Sequence, residues 1–75
     1  MDTNRFLKLF CEQFDEIDIN NVSLDTRFKE LDGWNSLVAL SVIAMIDEEY
    51  DVQLKGNDIS SSTTLNDLLS KVVKN

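Results

Sequence analysis

The chain has no histidine and no proline, one cysteine, two glycines and only seven basic residues among its 75. Without histidine, neither a Ser–His nor a Cys–His pair can form, which removes the common route to an activated nucleophile. The same lack of ligands removes a zinc site. One cysteine cannot close an internal disulfide, a usage that fits a reducing compartment and predicts a cytoplasmic protein. The seven bases stand singly against fourteen acids, a net charge of −7. Binding to a phosphate backbone needs clustered cations, so nucleic acid is excluded as a partner. The same charge repels an anionic membrane surface, and no apolar run approaches the ~20 residues of a membrane span. Met1-Asp2-Thr3-Asn4-Arg5 shows no basic flank leading into an apolar segment, so no signal peptide is expected.

What is present suits one small domain over residues 1–75. Surface scaling gives roughly 4,700 Å² exposed when folded, against about 12,500 Å² unfolded. A core this small argues against a deep catalytic pocket. It favours a protein whose chemistry is carried by an attached group or a partner.

The apolar residues fall at helical spacing. Phe6, Phe10, Phe14 and Ile17 advance in steps of three and four, predicting an amphipathic helix from Thr3 to Ile17. Asp2 or Thr3 can cap it, and acids gather at its end as Asp15, Glu16 and Asp18. Asn20-Asn21 then reads as a turn. A long loop follows, carrying Leu24, Phe28 and Leu31, with at most one helical turn begun by Asp25 or Thr26. Asp32-Gly33 closes the loop.

Ser36 to Tyr50 is apolar nearly all round, interrupted by Ser41 and ended by Asp47-Glu48-Glu49. At ~100° per residue, Leu40, Ile43, Ile46 and Tyr50 share one arc of ~120°, with Leu37, Val38 and Met45 on the other side. Such a helix is central to its domain or partly exposed for a partner. Beyond a connector at residues 51–56, Asn57 to Ser62 can form a single turn. Thr64-Leu65-Asn66-Asp67 has the form of a capping box ahead of a last helix running to about Lys74, with Lys71 and Lys74 at its favourable end. The predicted architecture is all-α, a small four-helix bundle of three main helices plus a short third helix, with a long first loop. Its core is expected to comprise Phe6, Phe10, Phe14, Phe28, Leu40, Ile43, Ile59, Leu65 and Leu68.

Few residues are placed to carry chemistry. Cys11 lies inside the first apolar stripe and reads as a small core-edge hydrophobe. A calcium loop begun at Asp51 would put Gln53 third, Lys55 fifth and Ser62 last, where a bidentate Glu is required, so that reading fails. Ser36 remains. It or Asn35 can serve simply as an N-cap. Alternatively, its hydroxyl stands exposed at a loop–helix junction and accepts a phosphodiester, because a helix N-terminus offers free N–H groups and the positive end of the dipole.

Gly33-Trp34-Asn35-Ser36-Leu37, followed by Asp47-Glu48-Glu49-Tyr50, resembles the acyl carrier protein family. That family has an Asp-Ser-Leu at the start of its second helix and an acidic run with an aromatic at its end. Phe28-Lys29-Glu30-Leu31, Ile59 and Thr63-Thr64-Leu65-Asn66-Asp67-Leu68 extend the likeness over nearly the whole chain. The resemblance implies a non-catalytic carrier with 4′-phosphopantetheine on Ser36, flanked by Asn35 and Leu37. A phosphopantetheinyl transferase would install the arm from coenzyme A with Mg²⁺, and the arm's thiol would hold acyl groups as thioesters. It further implies a monomer that docks acyl-loading and acyl-using enzymes bearing basic patches, through Glu30, Asp32, Leu37, Val38, Met45, Asp47, Glu48 and Glu49.

Three departures from the family pattern stand out. Asn35 replaces the usual Asp, Val38 and Ser41 replace acids early in the second helix, and Trp34 replaces a small residue. Trp34 reads as a hydrophobic anchor for the loop. The missing acids point toward a specialised pathway, such as polyketide, non-ribosomal peptide, surface-glycan or modified-lipid assembly. The competing reading is an acidic helical interaction module without a prosthetic group, in which Ser36 only caps the helix.

Overall fold

Asp2 begins the fold as a cap: its carboxylate accepts the Arg5 N–H at 3.2 Å and starts helix α1, Thr3–Cys11. The computed structural model describes residues 2–15 and 17–73. Two short 3₁₀ turns follow at Ile19–Asn21 and Phe28–Glu30. Helices α2 (Ser36–Tyr50), α3 (Gly56–Ser60) and α4 (Leu65–Val73) complete the order, with no strand among the described residues. The all-α four-helix architecture with a short third helix is therefore present. Exposed area is 4832 Å², close to the scaling expectation.

Helix α1 stops earlier than its apolar spacing predicts. The Gln13 and Phe14 N–H groups turn back to the Phe10 and Cys11 carbonyls, a tighter pattern that closes the last turn. Phe14 nevertheless stays buried, carried on that turn rather than on the helix. The acid expected at Glu16 and the helix end expected near Lys74 lie outside the described residues.

The core gathers Phe6, Phe10 and Phe14 with Phe28 from the long loop, Val42, Met45 and Ile46 from α2, and Leu65, Leu68 and Val72 from α4. Helix α2 presents a different side to this core than the sequence suggests. Its buried positions are Val42, Met45 and Ile46, with Leu40 left 63% exposed and Ile43 half-buried. Leu40 is two residues from Val42, ~200° around the axis, so the two cannot share a face. Leu40 thus leaves the predicted core and Met45 enters it.

Both ends of α2 are resolved without charged caps of the usual kind. Its first turn holds no acid and its last no base. Asp51 ends the helix in the left-handed region at φ 55°, and Arg5 reaches from α1 to pair with Glu49 while lying 5.3 Å over the Tyr50 ring. One acid of the run that opposes the dipole is thereby neutralised by a neighbouring helix.

Candidate functional site

The long loop reaches α2 through an aromatic anchor. Trp34 packs on Phe28 with ring centroids 5.2 Å apart, and lies 6.3–6.5 Å from Phe14 and Phe10. Gly33 just before it takes φ +90°, a conformation open to glycine and strained for other residues, with Phe14 packed 3.6 Å from where a Cβ would sit. The chain is thus pinned two residues before the start of α2, and the residues that follow are held at the surface.

At that surface the two candidate caps divide their roles. The Asn35 side chain accepts the Val38 N–H at 2.9 Å, and its carbonyl accepts the Ala39 N–H at 3.0 Å. Asn35 is therefore the N-cap. Ser36 is exposed as the first residue of the helix, and no hydrogen bond to its hydroxyl occurs among the described residues. The Ser36 and Leu37 N–H groups likewise have no acceptor among them. They face outward at the positive end of a 15-residue helix. An accessible hydroxyl beside free donors and without a nearby helix acid suits an esterified, anionic phosphate.

Two clefts flank this point. One, about 530 Å³, runs between α2 and α3 and is lined by Ser36, Leu40, Ile43 and Ile59 together with Trp34 and Lys29. The other, about 760 Å³, lies toward the end of α1 and is lined by Leu37, Val38 and Ser41 together with Asp15 and Asp32. Asn35 borders both. The walls differ in sign: a cation on the α3 side, two carboxylates on the α1 side.

The residues expected to dock partners fall into two groups. Glu30 and Asp32 are exposed near Ser36, with Glu30 3.7 Å from Arg27, and Leu37 is 73% exposed beside half-buried Val38. Asp47, Glu48 and Glu49 are exposed at the far end of α2, at least 16 Å away along the axis at about 1.5 Å per residue. Met45 does not belong with either group. It is 5% exposed and packed in the core, so it cannot meet a partner. Leu40, not singled out for this role, is exposed on the outer face of the same helix.

Cys11 offers no alternative thiol. It is buried, and desolvation, followed by the charge of Asp18, pushes its pKa above the ordinary thiol value. Among the described residues no cluster of ligating side chains could hold a metal ion, and no helix is long and apolar enough to cross a membrane.

Lys29 is the site residue that sequence reading passed over. Its ammonium donates to the Ser60 carbonyl at the end of α3, thirty-one positions away. No local pattern signals such a contact.

Comparison with known proteins gives a consistent result. The family model described as "Phosphopantetheine attachment site" matches residues 4–72. Acyl carrier proteins of Onion yellows phytoplasma (strain OY-M) and of Aster yellows witches'-broom phytoplasma (strain AYWB) are each 29% identical over 59 residues, covering 79% of this chain and 78% of theirs. No solved structure matches.

Proposed function

The chain belongs to the phosphopantetheine attachment site family, and on that premise we propose that Ser36 is the residue that carries the arm. The observation that carries this reading is the division of labour at the head of α2. Asn35 supplies the cap, so the exposed Ser36 hydroxyl is left without a structural task. The phosphopantetheine group fits these residues, since the Ser36 and Leu37 N–H groups and the helix dipole favour a negative charge at this point. When bound, the group supplies a terminal thiol that holds acyl cargo as a thioester. The chain's own contributions are to present the hydroxyl, offer donors to the phosphodiester, and keep the junction rigid through Trp34 and Gly33.

On this reading the protein is a monomeric, non-catalytic cytoplasmic carrier acted on by a phosphopantetheinyl transferase and by acyl-loading and acyl-using enzymes. Glu30 and Asp32 near Ser36, and Asp47 and Glu48 farther along α2, draw basic docking patches toward the helix, an effect on encounter rate that weakens with salt. The exposed Leu37 and Leu40 provide the apolar contact between these charges. Val38 and Ser41 stand where carriers of fatty-acid synthesis usually place acids, which favours a specialised polyketide, peptide, glycan or modified-lipid pathway.

The test is co-expression with a broad-specificity transferase followed by intact-protein mass spectrometry. A gain of one phosphopantetheine that disappears in Ser36→Ala is expected. A wild-type protein that stays unmodified with several transferases, or a Ser36→Ala protein that still gains the mass, would overturn the assignment.

A further inference from the structure

Helix α3 is only five residues long, and its end is held by ammonium groups from two directions. Lys71 of α4 donates to the Asp58 carbonyl at 2.7 Å, where the buried Ser62 hydroxyl also donates at 2.8 Å. Lys29, from the turn before Ser36, donates to the Ser60 carbonyl at 2.8 Å. The Lys71 contact lies among partly buried groups, whereas the Lys29 contact is exposed.

Lys29 also lines the α2–α3 cleft onto which Ser36 opens, and it is the one charged residue among the described residues lining it. An ammonium has three protons to donate. With one on the Ser60 carbonyl, two remain for an acceptor on the Ser36 side. The cleft on the opposite side of Asn35 presents Asp15 and Asp32, which repel a phosphodiester.

Resting on the reading that Ser36 is esterified, we infer that Lys29 is a positioning residue for the arm. It bridges the Ser36 phosphodiester to the Ser60 carbonyl, directing the arm to the α3 side and tightening the existing hold on the end of α3 when the carrier is loaded. The bridge adds a charge-assisted hydrogen bond without giving up the one already made. Its strength is that of an exposed ion pair, so it shifts the local opening of α3 without setting global stability.

The test compares unmodified and phosphopantetheinylated forms of the full chain in wild type, Lys29→Met and Lys29→Arg, by amide hydrogen exchange and mass spectrometry. The informative amides are those of Ser61 and Ser62, which close the end of α3 on the Asn57 and Ile59 carbonyls. Loading should slow their exchange by about three- to fivefold in wild type and Lys29→Arg. The slowing should be absent in Lys29→Met and fade in high salt. Exchange in unmodified Lys29→Met sets the baseline, so loss of the existing Ser60 contact is not mistaken for the effect of loading. An equal response to loading in all three proteins overturns the role of Lys29 while leaving Ser36 as the attachment point. Failure of wild type to gain the mass overturns both.

Discussion

Asn35 and Val38 are joined by a hydrogen bond of 2.9 Å from the Val38 N–H to the Asn35 side-chain oxygen. This bond determines what each neighbour of the proposed attachment point does. It supports a contrast between adjacent residues that a capping role for Ser36 would reverse.

Asn35→Ala should cost about 1 kcal/mol of stability, the usual loss for a cap, and Asn35→Asp should be nearly neutral because its carboxylate can accept the same N–H. Ser36→Ala should change stability by less than about 0.5 kcal/mol, as expected of an exposed substitution away from a cap. Urea denaturation of the three variants, read as a midpoint shift at constant slope, checks the order.

A second contrast lies along α2. Met45→Ala removes a side chain from the core and should cost about 2–5 kcal/mol. Leu40→Ala removes one that is 63% exposed and should cost less than about 1 kcal/mol. If Leu40 contributes to docking, its variant should instead slow modification by the transferase, seen as a lower kcat/KM with the thermal midpoint nearly unchanged.

These two residues also mark where the sequence stops being informative. Phe6, Phe10 and Phe14 repeat with a clear polar opposite side, and all three are buried as their spacing predicts. Helix α2 is apolar all round, so its periodicity cannot choose a face. The choice is made by the shared core in which Val42, Met45 and Ile46 are buried with residues of α1, the long loop and α4, and that packing is not written in α2 itself. The cap and exposed serine at Asn35-Ser36 are legible as local chemistry. The Lys29–Ser60 contact is not, because it joins two loop-proximal segments through folding alone.

Acid should weaken the start of α4. The Asp67 carboxylate accepts the Thr64 and Thr63 N–H groups, both at 3.0 Å, and these bonds lower its pKa, with smaller help from the Thr64 hydroxyl and Lys71. A pKa lower when folded than the ordinary ~3.9 means stabilisation that is fully present above that value and lost as pH falls through the folded value. The difference in thermal midpoint between wild type and Asp67→Ala should therefore be steady from pH 7 to 5 and narrow below about pH 4. A gap that stays constant into acid would show that the carboxylate charge does not matter there.

Gly33→Ala tests the turn that precedes the site. The space is adequate, since Phe14 would lie at ordinary contact distance, but φ +90° is strained for alanine. The expected cost is about 1–2 kcal/mol, through backbone conformation rather than collision. Thermal or urea unfolding checks it, with circular dichroism of the folded protein unchanged.

Trp34 is the single tryptophan of the chain, and it sits two residues before Ser36, the proposed attachment point, with its ring among Phe10, Phe14 and Phe28. Because the indole also borders the cleft that Ser36 opens onto, its emission comes from one address only. On the proposed function, arm attachment at Ser36 can therefore be followed optically in the unlabelled protein, in real time.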